Sequence, residues 1–197
     1  MADSLPTRAS LLLKIRDPHD DVAWRQFIEI YAPLIYGYGR KNGLQDADAA
    51  DLAQDVLRTV AQTAQTFDYD PKRGAFRGWL FTVTRNKLRD FLASRARKAR
   101  GSGDTRVKQL LEAQSDSNDQ SQRWDLEYQQ RLFVWASERI RGSFQDTTWR
   151  AFWLTSVDDR DVTSVAEELG ISVGAVYVAK SRVLKKLREK VAQIDDG

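Results

Sequence analysis

The chain has 197 residues, of which 42% are hydrophobic, and this is enough to build a core in one or two domains. It contains no cysteine, which excludes disulfides, thiol nucleophiles and sulfur-ligated zinc. The formal net charge is only +3, so the chain is not a bulk polycation, although its basic residues are unevenly placed.

The single histidine, His19, lies in the stretch DPHDD and is typical of a turn or a helix start. We therefore expect no metal site and no cofactor. No run of residues approaches the apolar length of a membrane span, and the amino terminus lacks the apolar core of a signal peptide. These features predict a cytoplasmic protein without a membrane partner.

Helical periodicity runs through nearly the whole chain, and no segment alternates as a strand would, so the predicted fold is all-α. Thr7 to Arg16 is predicted as a short leading helix that ends at Asp17-Pro18. Asp21 to Gly43 is predicted as a longer helical stretch, which Pro33 should kink or restart because proline removes a backbone donor.

The next predicted helix opens at Asp46 or Asp48 and repeats small and apolar residues at intervals of three and four up to Ala64. Its early polar side carries four aspartates and a glutamine. This acidic side would repel DNA and favours a protein partner with a basic face. Alternatively, the aspartates only stabilise the amino terminus of the helix through its dipole. The residues concerned are Asp46, Asp48, Asp51, Gln54 and Asp55.

A loop from Phe67 to Gly78 precedes a helix predicted from Trp79 to about Ala96. One face of this helix is a polar stripe made of Thr82, Arg85, Asn86, Arg89 and Asp90. Aromatic and cationic residues stand beside its start, as single-stranded nucleic acid requires for base stacking and phosphate contact. They are Phe76, Trp79 and Phe81 with Arg73 and Arg77. The alternative is a core helix with a merely hydrated polar face.

Residues 99–123 lose most of their apolar content and are rich in Gly, Ser, Asp, Gln and Asn, which predicts a flexible interdomain linker. Helices near Trp124 to Arg141 and Thr147 to Val157 are predicted after it. The expected organisation is therefore two helical domains, residues 1–98 and 124–197.

The stretch from Val162 to Leu187 has the pattern of a helix-turn-helix. Its first helix is predicted to open at Ser164 with a capping box to Glu167, and Gly170 supplies the left-handed residue that ends it. The second helix starts at Ser172 and directs polar and basic residues outward. An ordinary helical hairpin with a solvated basic face is the alternative. The predicted duplex-reading residues are Ser172, Gly174, Ala175, Tyr177, Val178, Ser181, Arg182, Lys185 and Arg188.

Taken together, the segments DADAADLAQDVLRTV and FRGWLFTVTRNKLRDFL and the final helix-turn-helix resemble bacterial RNA polymerase sigma factors of the sigma-70 superfamily. The closest likeness is to the two-domain extracytoplasmic-function (ECF) group, in a variant common in planctomycetes. The resemblance implies that Asp51, Gln54, Asp55 and Arg58 dock on the clamp of the largest polymerase subunit. It also implies capture of the melted minus-ten strand by Phe76, Arg77, Trp79, Thr82, Arg85, Asn86, Arg89 and Asp90.

The function expected from this resemblance is transcription initiation without enzymatic activity. The expected partners are core RNA polymerase, through its clamp and its flap, and promoter DNA read at the minus-ten and minus-thirty-five elements; an anti-sigma protein is a further candidate. Tyr177, Val178 and Ala179 stand where many members carry a basic residue, a serine and an arginine, so the promoter sequence cannot be carried over. The alternatives are a stand-alone helix-turn-helix regulator and, less favoured for want of a carboxylate cluster, a DNA nuclease.

Overall fold

The computed structural model describes residues 11–66, 76–98 and 117–194 of the chain. Every regular element within these ranges is a helix, which confirms the all-α prediction. In chain order the helices are α1 (Leu11–Lys14), α2 (Asp21–Lys41), α3 (Asp46–Thr63), α4 (Phe76–Lys98), α5 (Ser117–Arg141), α6 (Asp146–Ser156), α7 (Val162–Leu169) and α8 (Val173–Val191).

The described chain divides into two compact units between Arg131 and Leu132, inside α5. The first unit contains α1 to α4 and the beginning of α5, and the second contains the rest of α5 with α6, α7 and α8. This division falls later in the chain than the second domain predicted from Trp124. Of the predicted linker, residues 99–116 lie outside the described residues, whereas residues 117–123 are helical.

The core of the first unit is formed by α2, α3 and α4, whose buried residues recur at intervals of three and four. Gly39 lets α2 and α3 approach closely, since a Cβ at this position would lie 3.2 Å from Leu52 Cδ2 and 3.3 Å from Ala49 Cβ. The buried aliphatic residues include Ile30, Leu34 and Ile35 of α2, Leu52, Val56 and Val60 of α3, and Leu80, Leu88 and Leu92 of α4.

Two helix boundaries differ from those predicted. Helix α2 runs through Pro33 without a restart, because apolar residues on both sides of the proline, such as Ile30 and Leu34, are buried. Helix α4 begins at Phe76 and not at Trp79, because Phe76 itself packs into the core of the first unit. Residues 76–78, which were predicted to end the loop, are therefore helical. Residues 67–75 lie outside the described residues.

The beginning of α5 packs by its aromatic side chains into the first unit. Trp124 and Tyr128 are only 2% and 1% exposed. The Trp124 ring lies 5.6 Å from the Phe81 ring and 5.7 Å from the Tyr38 ring, measured between centroids. Tyr128 stacks on Tyr31 at 5.5 Å. Such ring pairs stabilise a core beyond their buried area.

Polar contacts fix the same segment. The Tyr38 hydroxyl donates a hydrogen bond of 2.8 Å to Gln120 Oε1, and Lys41 Nζ lies 2.6 Å from Glu127 Oε1. Burial raises the pKa of Tyr38 to about 12, against the lowering influence of the nearby Arg85 guanidinium. Tyr38 therefore stays a protonated donor throughout the ordinary pH range.

The second unit contains the helix-turn-helix. Helices α7 and α8 cross at 100°, within the range typical of this motif. Gly170 has φ 64° and ψ 35°, the left-handed conformation predicted for it, and Ser172 caps α8 by accepting a hydrogen bond from the Ala175 N–H. The motif closes over a small core of Ala151, Ala166, Val176 and Ala179.

The residue that caps α7 differs from the prediction. Asp161 is the N-cap, and its carboxylate accepts hydrogen bonds from the backbone N–H of Ser164 at 2.9 Å and from the Ser164 hydroxyl at 3.2 Å. Ser164 is therefore a donor inside the first turn, and the predicted capping box to Glu167 is wrong. An aspartate at this position offers a charged acceptor, which the neighbouring serine cannot match.

Among the described helices, none is by itself long and apolar enough to cross a membrane. Among the described helices, α7 and α8 pass the test of length and composition for a membrane span only when they are counted together, and they are bent by 100° at the break between them.

Candidate functional site

The acidic side of α3 divides into residues that serve the fold and residues that face solvent. Asp46 lies 3.0 Å from the Arg40 Nε and accepts a hydrogen bond of 2.9 Å from the Tyr36 hydroxyl, which raises the pKa of Tyr36. Asp48 pairs with Arg95 of α4. These two aspartates therefore hold α3 against its neighbours.

The remaining acidic residues of α3 form an exposed face. Asp51, Gln54, Asp55 and Arg58 stand three and four residues apart, so they share one side of the helix, and all four are exposed. The Arg58 guanidinium lies 2.7 Å from Asp55 Oδ1, whereas Asp51 has no ion-pair partner among the described residues. This acidic face, as we name the four residues, is available to a partner with basic groups.

The polar stripe of α4 is also exposed. Thr82, Asn86, Arg89 and Asp90 are exposed, and Arg85 is half-buried on the side of Tyr38. The Thr82 hydroxyl donates to the Gly78 carbonyl at 2.9 Å, a bond within the helix. Asn86, Arg89 and Asp90 lie on the same exposed side of α4.

Phe76 does not belong to this surface. It is 5% exposed, and its ring lies 5.9 Å from Phe27 and 5.8 Å from Tyr31. Its predicted role in contacting DNA is therefore corrected: Phe76 is a core residue. Trp79, with its ring centroid 5.4 Å from that of Phe76, is half-buried.

Arg77 is held by the beginning of α5. Its guanidinium carbon lies 4.8 Å from the centroid of the Tyr128 ring, and its Nε lies 3.8 Å from Asp125 Oδ1. Cation–π and ion-pair contacts together fix the position of this side chain. Sequence reasoning missed the contacts of Asp125 and Tyr128, because both residues belong to the helix predicted from Trp124, which was assigned to the second domain.

On α8 the predicted duplex-reading residues share the outward side of the helix. Val176, Ala179, Val183 and Leu187 are buried, and the side opposite them is solvent-exposed. No carboxylate among the described residues pairs with Arg182, Lys185 or Arg188, whereas the neighbouring Lys186 pairs with Glu189. The exposed residues are Ser172, Gly174, Ala175, Tyr177, Val178, Ser181, Arg182, Lys185 and Arg188.

Comparison with known proteins shows which family the chain is similar to. Residues 27–98 match the family described as sigma-70 region 2. Over 183 residues the chain is 28% identical to the ECF RNA polymerase sigma factor RpoE of Cereibacter sphaeroides, an alignment that covers 93% of this chain and 94% of that protein. These two matches support membership of the ECF group of the sigma-70 family. Sigma factors are transcription initiation factors and not enzymes, which confirms the prediction that this one has no catalytic activity.

An ion-pair cluster beside the helix-turn-helix is a further feature that sequence reasoning missed. Glu168 of α7 lies 2.9 Å from Arg150 of α6 and 2.6 Å from Arg160, which stands in the turn before α7. One carboxylate thus ties α7 to both neighbouring segments. Arg150 and Glu168 lie 18 residues apart on different helices, so no local sequence pattern could have revealed this contact.

A cavity of about 360 Å³ opens in the second unit between α5 and α6. Its apolar walls include Val134, Trp149, Trp153 and Leu154, and its rim carries Glu138, Arg141 and Arg150. The described ranges contain no group of three or more His, Cys, Asp or Glu residues that could hold a metal ion.

Proposed function

We propose that this sigma factor docks on core RNA polymerase with the acidic face of α3, reads the upstream promoter duplex with α8 and captures the melted downstream strand with the polar stripe of α4. It is a promoter-directed initiation factor by family, and the assignment of each step to a surface is the proposal. The observation that carries it is the exposure of the acidic face, the polar stripe and the cationic side of α8, since each must reach its partner from solvent.

The chemistry of each surface matches its partner. Exposed carboxylates of Asp51 and Asp55 suit a basic protein surface such as a polymerase clamp. Cations such as Lys185 and Arg188 suit DNA phosphates, because binding them releases condensed counterions. The cavity in the second unit, with apolar walls and a charged rim, suits an amphipathic helix, and we assign it to the polymerase flap.

The step at the polar stripe requires unpaired bases. Trp79 offers part of an aromatic face for stacking, and the side chains of Asn86 and Arg89 offer hydrogen bonds to bases and phosphates. Stacking on an aromatic side chain is worth about 1–3 kcal/mol per base and is available only after the base has left the duplex. Trapping splayed bases in this way would drive strand opening.

The test separates opening from binding. Asn86→Ala combined with Arg89→Ala should reduce promoter opening by the reconstituted holoenzyme more than it reduces binding to the closed duplex, because single-strand contacts form only after melting. Permanganate reactivity of promoter thymines reports the opening. A template melted in advance should restore transcript formation.

Arg123→Ala with Gln129→Ala provides the matched control, since both residues are exposed on α5 and lie outside the stripe. Normal permanganate reactivity in the Asn86 and Arg89 double variant would remove the strand-capture assignment, and docking and duplex reading would then stand on their own tests.

A further inference from the structure

The amino-terminal end of α8 exposes large apolar side chains. Tyr177 is 58% exposed, Val178 is 50% exposed and Val173 is 39% exposed. Single apolar residues at a surface are normal, but these three all lie within the first six residues of one helix. They are continuous with the cationic side of the same helix, which carries Arg182 and Lys185.

Helical geometry aligns the two parts. Ser181 and Lys185 follow Val178 by three and seven residues, so the three side chains lie on one ridge, opposite the buried Val176 and Val183. The ridge is therefore apolar where α8 begins and cationic further along. In a helix-turn-helix the amino-terminal residues of the second helix meet base edges, and later cations meet phosphates.

The apolar end lacks the side chains that read purines. Between Ser172 and Ala179 there is no arginine, lysine, asparagine or glutamine. Arginine and lysine read guanine by paired hydrogen bonds, and asparagine and glutamine read adenine in the same way. The base feature that apolar side chains do contact in the major groove is the methyl group of thymine.

Gly174 leaves room for close approach. A Cβ at this position would meet only Ser172 Oγ, at 3.9 Å, so the fold of the second unit does not require glycine here. Glycine lowers helix stability relative to alanine, and no contact within the described chain offsets that loss. The missing side chain lets the backbone of α8 lie nearer to a duplex at the level of Val178.

We propose that Val178 and Tyr177 read thymine methyl groups in the upstream promoter element, so that this sigma factor selects an element with thymines at the positions facing the start of α8. The inference rests on the proposed function of α8 as the duplex reader. It adds the class of sequence that the helix prefers and the two residues that determine the preference.

The experiment removes the methyl group alone. Holoenzyme reconstituted with core polymerase selects upstream elements from a randomised duplex library, and each selected thymine is then replaced in turn by deoxyuridine. Where Val178 contacts the methyl group, the replacement should weaken binding about fourfold, which corresponds to the burial of one carbon group. In the Val178→Ser variant, thymine and uracil should bind equally at that position.

Serine and valine have similar helix propensities, so Val178→Ser should leave α8 folded. Val157→Ser is the matched control, because Val157 is 40% exposed and lies outside α8; it should keep the full difference between thymine and uracil. Tyr177→Ser tests the second residue in the same way.

The outcomes separate this inference from the function on which it rests. A selected element without thymines, or a uracil effect that survives in both the Val178→Ser and Tyr177→Ser variants, overturns the inference while α8 remains the duplex reader. A library from which no upstream sequence is enriched overturns both.

Discussion

The carboxylate of Asp161 organises the first turn of the helix-turn-helix. It accepts hydrogen bonds from the backbone and the hydroxyl of Ser164, and these bonds, led by the backbone one, hold the pKa of Asp161 below its usual value of 3.8. A group whose pKa is lowered by folding stabilises the folded state above its ordinary pKa, and this stabilisation is lost as the pH falls through the folded-state value.

Substitutions at Asp161 should separate the hydrogen bond from the charge. Asp161→Ala should lower the melting temperature of the second unit at neutral pH, because an N-cap acceptor is lost. Asp161→Asn keeps an acceptor and should stay near the stability of the unsubstituted protein at neutral pH, yet lose less of it below pH 3.8. Thermal unfolding followed by circular dichroism across a pH series is the measurement. Equal acid sensitivity of the Asn variant and the unsubstituted protein would show that Asp161 is not the titrating group.

At the scale of one element, α3 carries two aspartates that pair within the fold and the acidic face for which we propose docking on core polymerase. Charge reversal by Asp51→Lys with Asp55→Lys should weaken binding to core polymerase by roughly tenfold or more, since like charges brought together at an interface cost several kcal/mol. Both residues are exposed, so the fold should be unaffected. Titration of labelled sigma factor with core polymerase gives the affinity.

The control for this prediction carries the same change in charge elsewhere. Asp158→Lys with Glu167→Lys alters two exposed acidic residues of the second unit and should leave polymerase affinity unchanged. If both double variants weaken binding equally, net charge and not the acidic face determines the affinity.

Helix α5 belongs by its first residues to the first unit. Trp124→Ala should destabilise that unit by about 3–5 kcal/mol, the range for removing a large aromatic side chain from a core. Leu126→Ala, two residues away at a position that is 59% exposed, should have little effect. Hydrogen exchange of the backbone amides of α2 and α3 reports the difference. Unchanged protection in the Trp124 variant would mean that the segment contributes nothing to the stability of the first unit.

At the scale of the whole molecule, a net charge of only +3 conceals a strongly basic helix. Six lysines and arginines between Lys180 and Lys190 stand against the single acid Glu189. Lys185→Ala should weaken holoenzyme binding to specific and random duplexes alike and reduce the salt slope by about one, because it removes a phosphate contact. Arg182→Ala should act mainly on the specific element.

Filter binding over a salt series on both DNAs distinguishes the two variants. Lys186→Ala is the control, because Lys186 Nζ already lies 3.7 Å from Glu189 Oε2. Identical salt slopes for Lys185→Ala and the unsubstituted protein would contradict the phosphate contact.

The sequence predicts those features that local chemistry decides. The turn at Gly170, the cap at Ser172 and the exposed face of α3 follow from periodicity and from the conformational freedom of glycine, and the structure has them. Phe76 could not be assigned in this way. An aromatic residue beside a cation suits a nucleic-acid surface and a core equally, and only its contacts with Phe27 and Tyr31, far away in the chain, place it in the core.

Residues 117–123 of α5 were not predicted to be helical, and the packing of Trp124 and Tyr128 was missed, for the same reason. Between residues 117 and 131 the apolar residues are few, and among residues 119–131, whose side chains the structure describes, only Trp124 and Tyr128 are buried. Their partners Tyr31, Tyr38 and Phe81 belong to α2 and α4, so the stabilising contacts are tertiary and leave no local pattern. A polar composition is therefore compatible with a helix when a distant aromatic cluster receives its few large side chains.

The burial of Trp124 and Tyr128 determines where this protein can be cut. Fragments separated after residue 98 would strip both rings from the first half and expose them to water on the second, and exposed aromatic surface of this kind promotes aggregation. A chimaeric sigma factor joined between residues 99 and 123 would take its first unit from one protein. The rings that complete the core of that unit would then come from the other protein. The junction that keeps both cores intact lies inside a helix, near Leu132, so promoter specificities should be exchanged there and not at the stretch that composition alone suggests.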